Sequence, residues 1–325
     1  VTVARPAIAV VGAGAMGALH ARVVQSSSRA ELAVVVDPQE EVGRAVAERF
    51  GARWAPDLSG LGRVDAVVVA AATSAHHDVA LELLAAGFPL LVEKPLADSL
   101  ARSEAIVAAA EAADLPLVCG LLERFNSAVV TAARLTRDPV HVSAQRHSPY
   151  APRIPTGVAW DLLVHDVDIA LRLLGDEPAA VTARFGSFHP ASEPGAEDVA
   201  EVQLTFPGGQ LAALSASRIG QRKIRSVTIT EVDRAIEVDL LRQALTIYRH
   251  VAAEAATDDG LGYRQQTVIE IPMIAPLGEP LAAQLSHFLD LLEGTADAAA
   301  ERASILPPHT VVARAVESAA VPALG

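Results

Sequence analysis

Residues 7–21 read AIAVVGAGAMGALHA, and this stretch decides the fold of the first part of the chain. Ile8, Val10 and Val11 form a short β-branched run, Gly12, Gly14 and Gly17 follow at GxGxxG spacing, and an apolar, helix-permissive segment continues to about Val24. Strand, tight turn and helix in that order predict a dinucleotide-binding unit. The first glycine allows the sharp turn, the second lets backbone approach a pyrophosphate, and the third lets helix and strand pack closely. The helix start, at Ala15 and Met16, offers N–H groups and a positive dipole end to phosphates. A second strand, Glu31 to Val36, ends in Asp37, placed where a carboxylate suits a ribose 2′-hydroxyl.

The chain to Gly120 repeats this alternation. Glu40 to Phe50 has helical spacing and Gly51 stops it; Asp65 to Ala72, DAVVVAAA, is apolar on both faces and belongs inside a parallel sheet. His76 to Ala86 reads as a helix and Phe88 to Val92 as a strand that ends in Glu93-Lys94-Pro95. Asp98 or Ser99 caps a helix running to about Ala113, and Leu115 to Gly120 is a further strand. Residues 1–120 are therefore expected to form a Rossmann domain with a doubly wound parallel sheet, in an α/β chain overall.

Beyond Gly120 the period changes. Ala200, Val202, Leu204 and Phe206 alternate with polar residues, Pro207-Gly208-Gly209 turns the chain, and further alternating runs cover residues 210–217, 224–232, 235–240, 244–248 and 266–271. Residues 121–325 are expected to be an α+β domain on an open, largely antiparallel sheet. Two late helices, Pro280 to Glu293 and about His309 to Ala320, complete it, the last packing back on the first domain.

Composition narrows the function. The 325 residues are 51% hydrophobic, but the longest apolar run, around Val64 to Ala72, is too short to span a bilayer. No basic, cleavable leader precedes the glycine loop, which predicts a cytoplasmic protein. The formal net charge of -13 excludes nucleic acid and anionic membrane as expected partners. A single cysteine, Cys119, rules out an internal disulfide, and no Cys/His spacing suggests a metal. Lys94 and Lys223 are the only lysines in a chain that otherwise uses arginine. Lysine can be tuned for acid–base work where arginine cannot, so Lys94 stands out as a chemical candidate against the plainer reading of biased codon use.

Gly157 to Gly175 reads GVAWDLLVHDVDIALRLLG. On a regular helix Asp161, His165, Asp168 and Arg172 would form one polar stripe on an otherwise apolar surface, facing a cleft or a closed internal network. Asp161 and His165, one turn apart, would let a carboxylate orient an imidazole, or would be an Asp–His surface pair with no chemistry. His77, His147, Tyr150 and Trp160 read as packing or surface residues, and Asp258-Asp259-Gly260 as a loop.

GAGAMGALHA, the strand-end Glu93-Lys94-Pro95 and the helix carrying Gly157, Asp161 and His165 occur in an order and on elements that resemble the glucose-fructose oxidoreductase/inositol dehydrogenase (Gfo/Idh/MocA) family, over essentially the whole chain. The resemblance implies a nicotinamide cofactor on the first domain, a sugar site shaped by the second, a homo-oligomer such as a dimer or tetramer, and Lys94, Asp161 and His165 as the catalytic set. It also implies a cis Lys94-Pro95 bond and cofactor contacts from Ala71, Ala72, Thr73, His76, Glu93 and Lys94. The runs LLERFN (121–126) and GVAWDLLVHDVDIALRLLG look most like UDP-N-acetylglucosamine 3-dehydrogenases and neighbouring sugar oxidoreductases. Two departures stand out: Ala71-Ala72 replaces the family's usual Thr-Pro, and Ser127 replaces a proline.

From this reading NAD is expected over NADP, because Asp37 would repel a 2′-phosphate and Pro38-Gln39 supplies no cation. The expected partner is a sugar or sugar nucleotide oxidised at a secondary hydroxyl, with Arg124, Asn126, Arg146 and Arg153 as substrate contacts. His165 would take the hydroxyl proton, Lys94 would stabilise developing alkoxide, and Asp161 would orient; the reverse assignment of the proton to Lys94 stays open. An NADP-dependent ketosugar or biliverdin-like reductase and a non-enzymatic dinucleotide-sensing regulator are the competing readings.

Overall fold

β-branched runs at the start of the chain give a sheet apolar on both faces. In the computed structural model, which describes residues 5–151, 156–175, 177–257 and 260–320, the chain divides into two units. The first begins with β1 (Ala7–Val11), α1 (Ala15–Ser26), β2 (Glu31–Val36), α2 (Glu40–Phe50), β3 (Arg53–Ala55), β4 (Ala66–Val69), α3 (Thr73–Ala85), β5 (Leu90–Val92), α4 (Leu100–Ala112) and β6 (Leu117–Cys119). Every strand pairing is parallel, in the order β3-β2-β1-β4-β5-β6. That is the doubly wound Rossmann order, with the strand sequence reversing between β1 and β4. All of β4 is buried, as a strand covered by helices on both faces must be. Gly51 ends α2 in the left-handed conformation (φ 70°), and Ser99 caps α4 by accepting from the Arg102 N–H.

The second unit comprises Glu123–Leu277 and a C-terminal segment that begins at Arg314. It holds α5 (Ser127–Leu135), β7 (His141–His147), a π-helical turn (Ala159–Leu163) that continues into α6 (Val164–Leu174), and β8 (Ala180–Gly186). There follow β9 (Val199–Thr205), β10 (Leu211–Ser217), β11 (Ile224–Thr230), β12 (Ala235–Asp239), β13 (Ala244–Thr257) and β14 (Gly260–Glu270). The eight-stranded sheet has the order β14-β13-β12-β11-β7-β10-β9-β8 and is antiparallel except where β7 runs parallel to β10. Val142, Ala144, Val202, Leu204, Leu214, Val227, Ile229, Ile236 and Val238 form its buried face, on which α5 and α6 pack. β7 escapes the sequence reading because its sequence, HVSAQRH, puts Arg146 on the buried face, where alternation leads one to expect an apolar residue.

The expected second domain over residues 121–325 is not continuous. α7 (Pro280–Leu292), α8 (Ala298–Ala303) and the start of α9 (Leu306–Ala320) return to the first unit, which includes Gly278–Ala313. Leu281, Leu285, Phe288 and Leu289 of α7 share one buried cluster with Ile8, Val10, Val24 and Val35. The physical reason is the amphipathic face of α7, which finds its apolar partner on α1 and the Rossmann sheet.

Candidate active site

The glycine loop divides its labour. A Cβ on Gly12 (φ +96°) would lie 2.6 Å from the Ala70 carbonyl oxygen, and one on Gly17 would lie 1.8 Å from the Gly12 oxygen, so both positions are fixed by packing. A Cβ on Gly14 would meet nothing within 4 Å, and Gly14 starts α1 without any side-chain cap. Gly14 and Ala15 are exposed and Met16 half-buried, an arrangement that a pyrophosphate site would need. Asp37, at the end of the adjacent strand, is only 8% exposed. Its Oδ2 accepts from the Ala13 N–H at 2.7 Å and its Oδ1 from the Gln39 N–H at 2.8 Å, which ties the ends of β1 and β2 together. Arg44 of α2 stacks 4.4 Å over Trp54 and pairs with Glu40 at 2.8 Å. These residues fit a dinucleotide.

Ala71 and Ala72 follow β4, and Ala72 starts α3 without a side-chain cap, next to Thr73. His76 is buried, with Nδ1 2.9 Å from the Pro95 oxygen and Nε2 3.1 Å from the Ala71 oxygen. Lys94 is half-buried at the carboxyl end of β5, and the Lys94–Pro95 bond is cis. Glu93 is buried; its Oε1 lies 2.8 Å from His20 Nε2 and its Oε2 accepts from the Lys94 N–H at 3.2 Å. Glu93 and His76, expected to touch a cofactor, have inward partners that hold backbone in place.

In the second unit the segment carrying Asp161 and His165 begins at a forced glycine. A Cβ on Gly157 would lie 2.1 Å from Glu197 Oε2. Glu197 accepts from the Ala159 N–H at 2.7 Å through its carboxylate and from the Val158 N–H at 3.1 Å through its main chain. Burial pushes the Glu197 carboxyl above its ordinary range, against the pull of the Ala159 N–H and Arg218. The neighbouring Asp198 goes the other way. Its burial is outweighed by hydrogen bonds from the His189 N–H, Ser192, Arg218 and the Phe188 N–H, which hold it well below the usual carboxylate range.

Asp161 lies in the π-helical turn and His165 in the first turn of α6, both half-buried. The wider π turn breaks the single polar stripe expected of a regular helix. Asp168 turns inward to Arg124, at 2.6 Å, and Asp166 to Arg146, at 2.8 Å, all four being buried. Arg146 also donates to Glu123 at 2.9 Å. Asn126 donates to Glu123 at 3.0 Å and to the Leu240 oxygen at 3.1 Å, while its Oδ1 caps α5 through the Ala128 N–H. Arg124, Asn126 and Arg146, expected as substrate contacts, are buried and hydrogen-bonded to carboxylates and backbone of the same unit. Arg153 lies outside the described residues, as do Asp258 and Asp259. His147, expected as a packing or surface residue, sits 2.8 Å from Ser215 Oγ.

Sequence reasoning missed Arg225. It sits on β11 directly opposite Arg146, with Nη1 3.8 Å from Glu123 and a side chain 39% exposed. Burial and the like charge of Arg146 lower its pKa, while Glu123, Asp166 and Asp161 oppose them. Only the strand pairing of residues 225 and 146 reveals this neighbourhood, and β7 was not legible. Among the described residues no cluster of three or more His, Cys, Asp or Glu side chains could hold a metal, and no helix is long and apolar enough to cross a membrane.

Residues 7–121 match the family described as oxidoreductases with an NAD-binding Rossmann fold, and residues 129–236 match the GFO/IDH/MocA C-terminal domain. The chain is 30% identical over 286 residues to a UDP-N-acetylglucosamine 3-dehydrogenase of Acidithiobacillus ferrooxidans, covering 87% of each protein. It is 36% identical over 217 residues to inositol 2-dehydrogenase 2 of Saccharopolyspora erythraea, covering 63% of this chain and 64% of that one. A solved structure of the Acidithiobacillus ferrooxidans enzyme superposes with a TM-score of 0.83 at 26% identity, over 97% of this chain and 98% of that one. GenD2 from gentamicin A biosynthesis, solved with NAD, gives a TM-score of 0.83 at 25% identity, over 98% of this chain and 95% of that one.

Proposed function

We infer the activity from one premise: the chain belongs to the Gfo/Idh/MocA oxidoreductase family. On that premise it is an oxidoreductase of sugar or polyol CH–OH groups. We propose that it uses NAD to oxidise a ring secondary hydroxyl, at C3, of a pyranose bearing a nucleotide or comparable anionic group. The observation that carries this reading is the likeness to the UDP-N-acetylglucosamine 3-dehydrogenase along 87% of both chains. Arg225 adds physical support, since it keeps a partly exposed guanidinium, with a long ion pair to Glu123, on the unit that carries Asp161 and His165. The greater identity to an inositol 2-dehydrogenase, over a shorter span, favours an uncharged polyol as the second reading.

The bound nicotinamide would accept the hydride. In this reading the groups at Gly14, Ala15 and Met16 bind the pyrophosphate, and Ala71, Ala72 and Thr73 lie on the cofactor side. Asp37 takes the ribose 2′-hydroxyl and disfavours a 2′-phosphate; Arg44, a nearby cation on α2, is already paired with Glu40. His165 removes the hydroxyl proton, Asp161 orients the imidazole, and Lys94 stabilises the negative charge that develops on the carbinol oxygen. A cytoplasmic homo-oligomer completes the proposal.

The test is turnover of UDP-N-acetylglucosamine against free N-acetylglucosamine and myo-inositol, with the keto position of the product read by NMR. Preference for myo-inositol would remove the nucleotide-sugar reading and leave the dehydrogenase. Lys94→Ala and His165→Ala are expected to stay folded, bind NAD and lose at least about a hundredfold in kcat. If either keeps most of its turnover, its assigned role is wrong.

A further inference from the structure

Residues 93–99 lie outside any helix or strand; the Glu93 N–H still donates to the Val69 oxygen at 2.8 Å, but beyond it the turn has left the ladder. Three buried histidines from three helices take its place. His20 of α1, 2% exposed, sits 2.8 Å from Glu93 Oε1, and the other oxygen of Glu93 accepts from the Lys94 N–H. His76 of α3, 1% exposed, lies 2.9 Å from the carbonyl oxygen of Pro95. His309 of α9, 0% exposed, accepts the Leu96 N–H at Nε2, at 3.2 Å across 213 residues of sequence. Its Nδ1 faces the Ile305 oxygen at 2.7 Å, which fixes the proton on Nδ1 and leaves Nε2 the acceptor.

We propose that His20, His76 and His309 form a clamp that holds the Glu93–Leu96 turn and so fixes the position and charge environment of Lys94, with His309 a positioning residue for the reaction. This rests on the reading of Lys94 as the group that stabilises the substrate oxygen. Lysine is a point charge on a flexible four-carbon stem, and such a charge stabilises a developing alkoxide only if its root is held. A turn secured only by apolar packing would leave the Leu96 N–H and the Pro95 carbonyl unsatisfied in a dry interior, and the histidines remove that cost. The contacts on α1 and α3 could be read as local to the Rossmann sheet. The contact from α9 has no such explanation, since Leu96 and His309 meet only because the late helices return to this unit.

The chain has just two lysines, which makes Lys94 directly observable. Reductive methylation with ¹³C-formaldehyde keeps the positive charge and gives two lysine signals, Lys94 and Lys223, beside that of the terminal amine. In His309→Leu the Lys94 signal is expected to move while that of Lys223 stays. His309→Gln, which can still accept from Leu96, should bring it back. With substrate, kcat of unmodified His309→Leu should fall by about ten- to a hundredfold while NAD affinity holds, and His309→Gln should recover most of it. A merely structural histidine would lower the melting temperature and leave the Lys94 signal of the folded protein unchanged; that result overturns the proposal. If His309→Leu does not fold, the same spectrum is taken on His20→Gln, where an unmoved Lys94 signal is equally decisive. Absence of turnover on every sugar and polyol in the wild type would count against the functional reading alone, because the spectrum needs no substrate.

Discussion

Asp37 carries two tasks at once. Its carboxylate closes the glycine loop through Ala13 and Gln39, and the same charge would select a hydroxyl over a phosphate. Asp37→Ser is therefore expected to destabilise by about 1.5 to 3 kcal/mol, the range for a hydrogen bond to a charged group, and to narrow the preference for NAD over NADP. Parallel melting and cofactor titrations check both; equal or tighter binding of NADP by the unmodified protein would refute the selectivity. Arg124 and Arg146 make the opposite point. Each sits buried against a carboxylate, so Arg146→Ala should cost about 3 to 5 kcal/mol by leaving Asp166 uncompensated, and Arg124→Ala less, because Asp168 keeps Arg172 at 3.7 Å. KM of the protein that still folds should hardly change. A rise in KM without loss of stability would instead support the substrate role that the sequence suggested.

The segment from Gly157 to Leu174 shows what one element can and cannot disclose. Its composition pointed correctly to a buried helix with charged members, but periodicity could not foresee the π turn at Ala159–Leu163 or divide Asp161 and His165 from Asp166 and Asp168. That division depends on arginines 20 and 44 residues away, supplied by β7 and the turn after β6. The Rossmann half was legible almost strand by strand because GxGxxG and apolar runs are local signals; β7 was not, because a buried ion pair disguises alternation. Gly157 was read as part of a motif, and the structure gives the reason: the carboxylate of Glu197 occupies the space of a side chain. Gly157→Ala should displace that cap, cost about 1 kcal/mol and lower kcat by shifting Asp161. Glu197→Gln keeps the acceptor for Ala159 and removes the charge. Because the folded pKa of Glu197 is raised, its favourable contribution is complete below the unfolded value and is lost as pH rises through the folded one. Glu197→Gln should therefore gain melting temperature relative to wild type between acid and neutral pH, and a parallel pair of curves would show that Glu197 carries no such penalty.

Across the whole chain both units have apolar cores, but the second adds buried ion pairs to its own. The first rests on an apolar cluster that joins β1, β2, β4 and α7. The second buries Arg124–Asp168, Arg146–Asp166, Arg218–Asp198 and Arg234–Glu231 beneath its sheet and loops. Asp198 and Glu231 are both held below their ordinary pKa, so the stability they give is present above the unfolded values and is lost as pH falls through the folded ones. In the first unit the carboxylates held low, Asp57 and Asp78, are exposed, where water screens their partners. Burial raises Asp166 and Glu197 of the same unit, which act in the opposite sense; on the strength of the hydrogen bonds that gather on Asp198 from His189, Ser192, Arg218 and Phe188, acid is still expected to loosen the second unit first. The chain carries its own reporters: of its two tryptophans, Trp54 lies in the first unit and Trp160 in the second, on the π turn whose start is bonded to Glu197, next to Asp198. In single-tryptophan variants made by Trp54→Phe and Trp160→Phe, Trp160 emission should shift at a higher pH than Trp54 emission as the solution is taken below about pH 4. NAD at a hundred times its Kd should stabilise the protein by about 2.7 kcal/mol. Acting on the glycine loop, it should delay the Trp54 transition more than the Trp160 transition and so widen the interval. Coincident transitions, unmoved relative to each other by NAD, would mean that the buried ion pairs of the second unit do not set its acid limit.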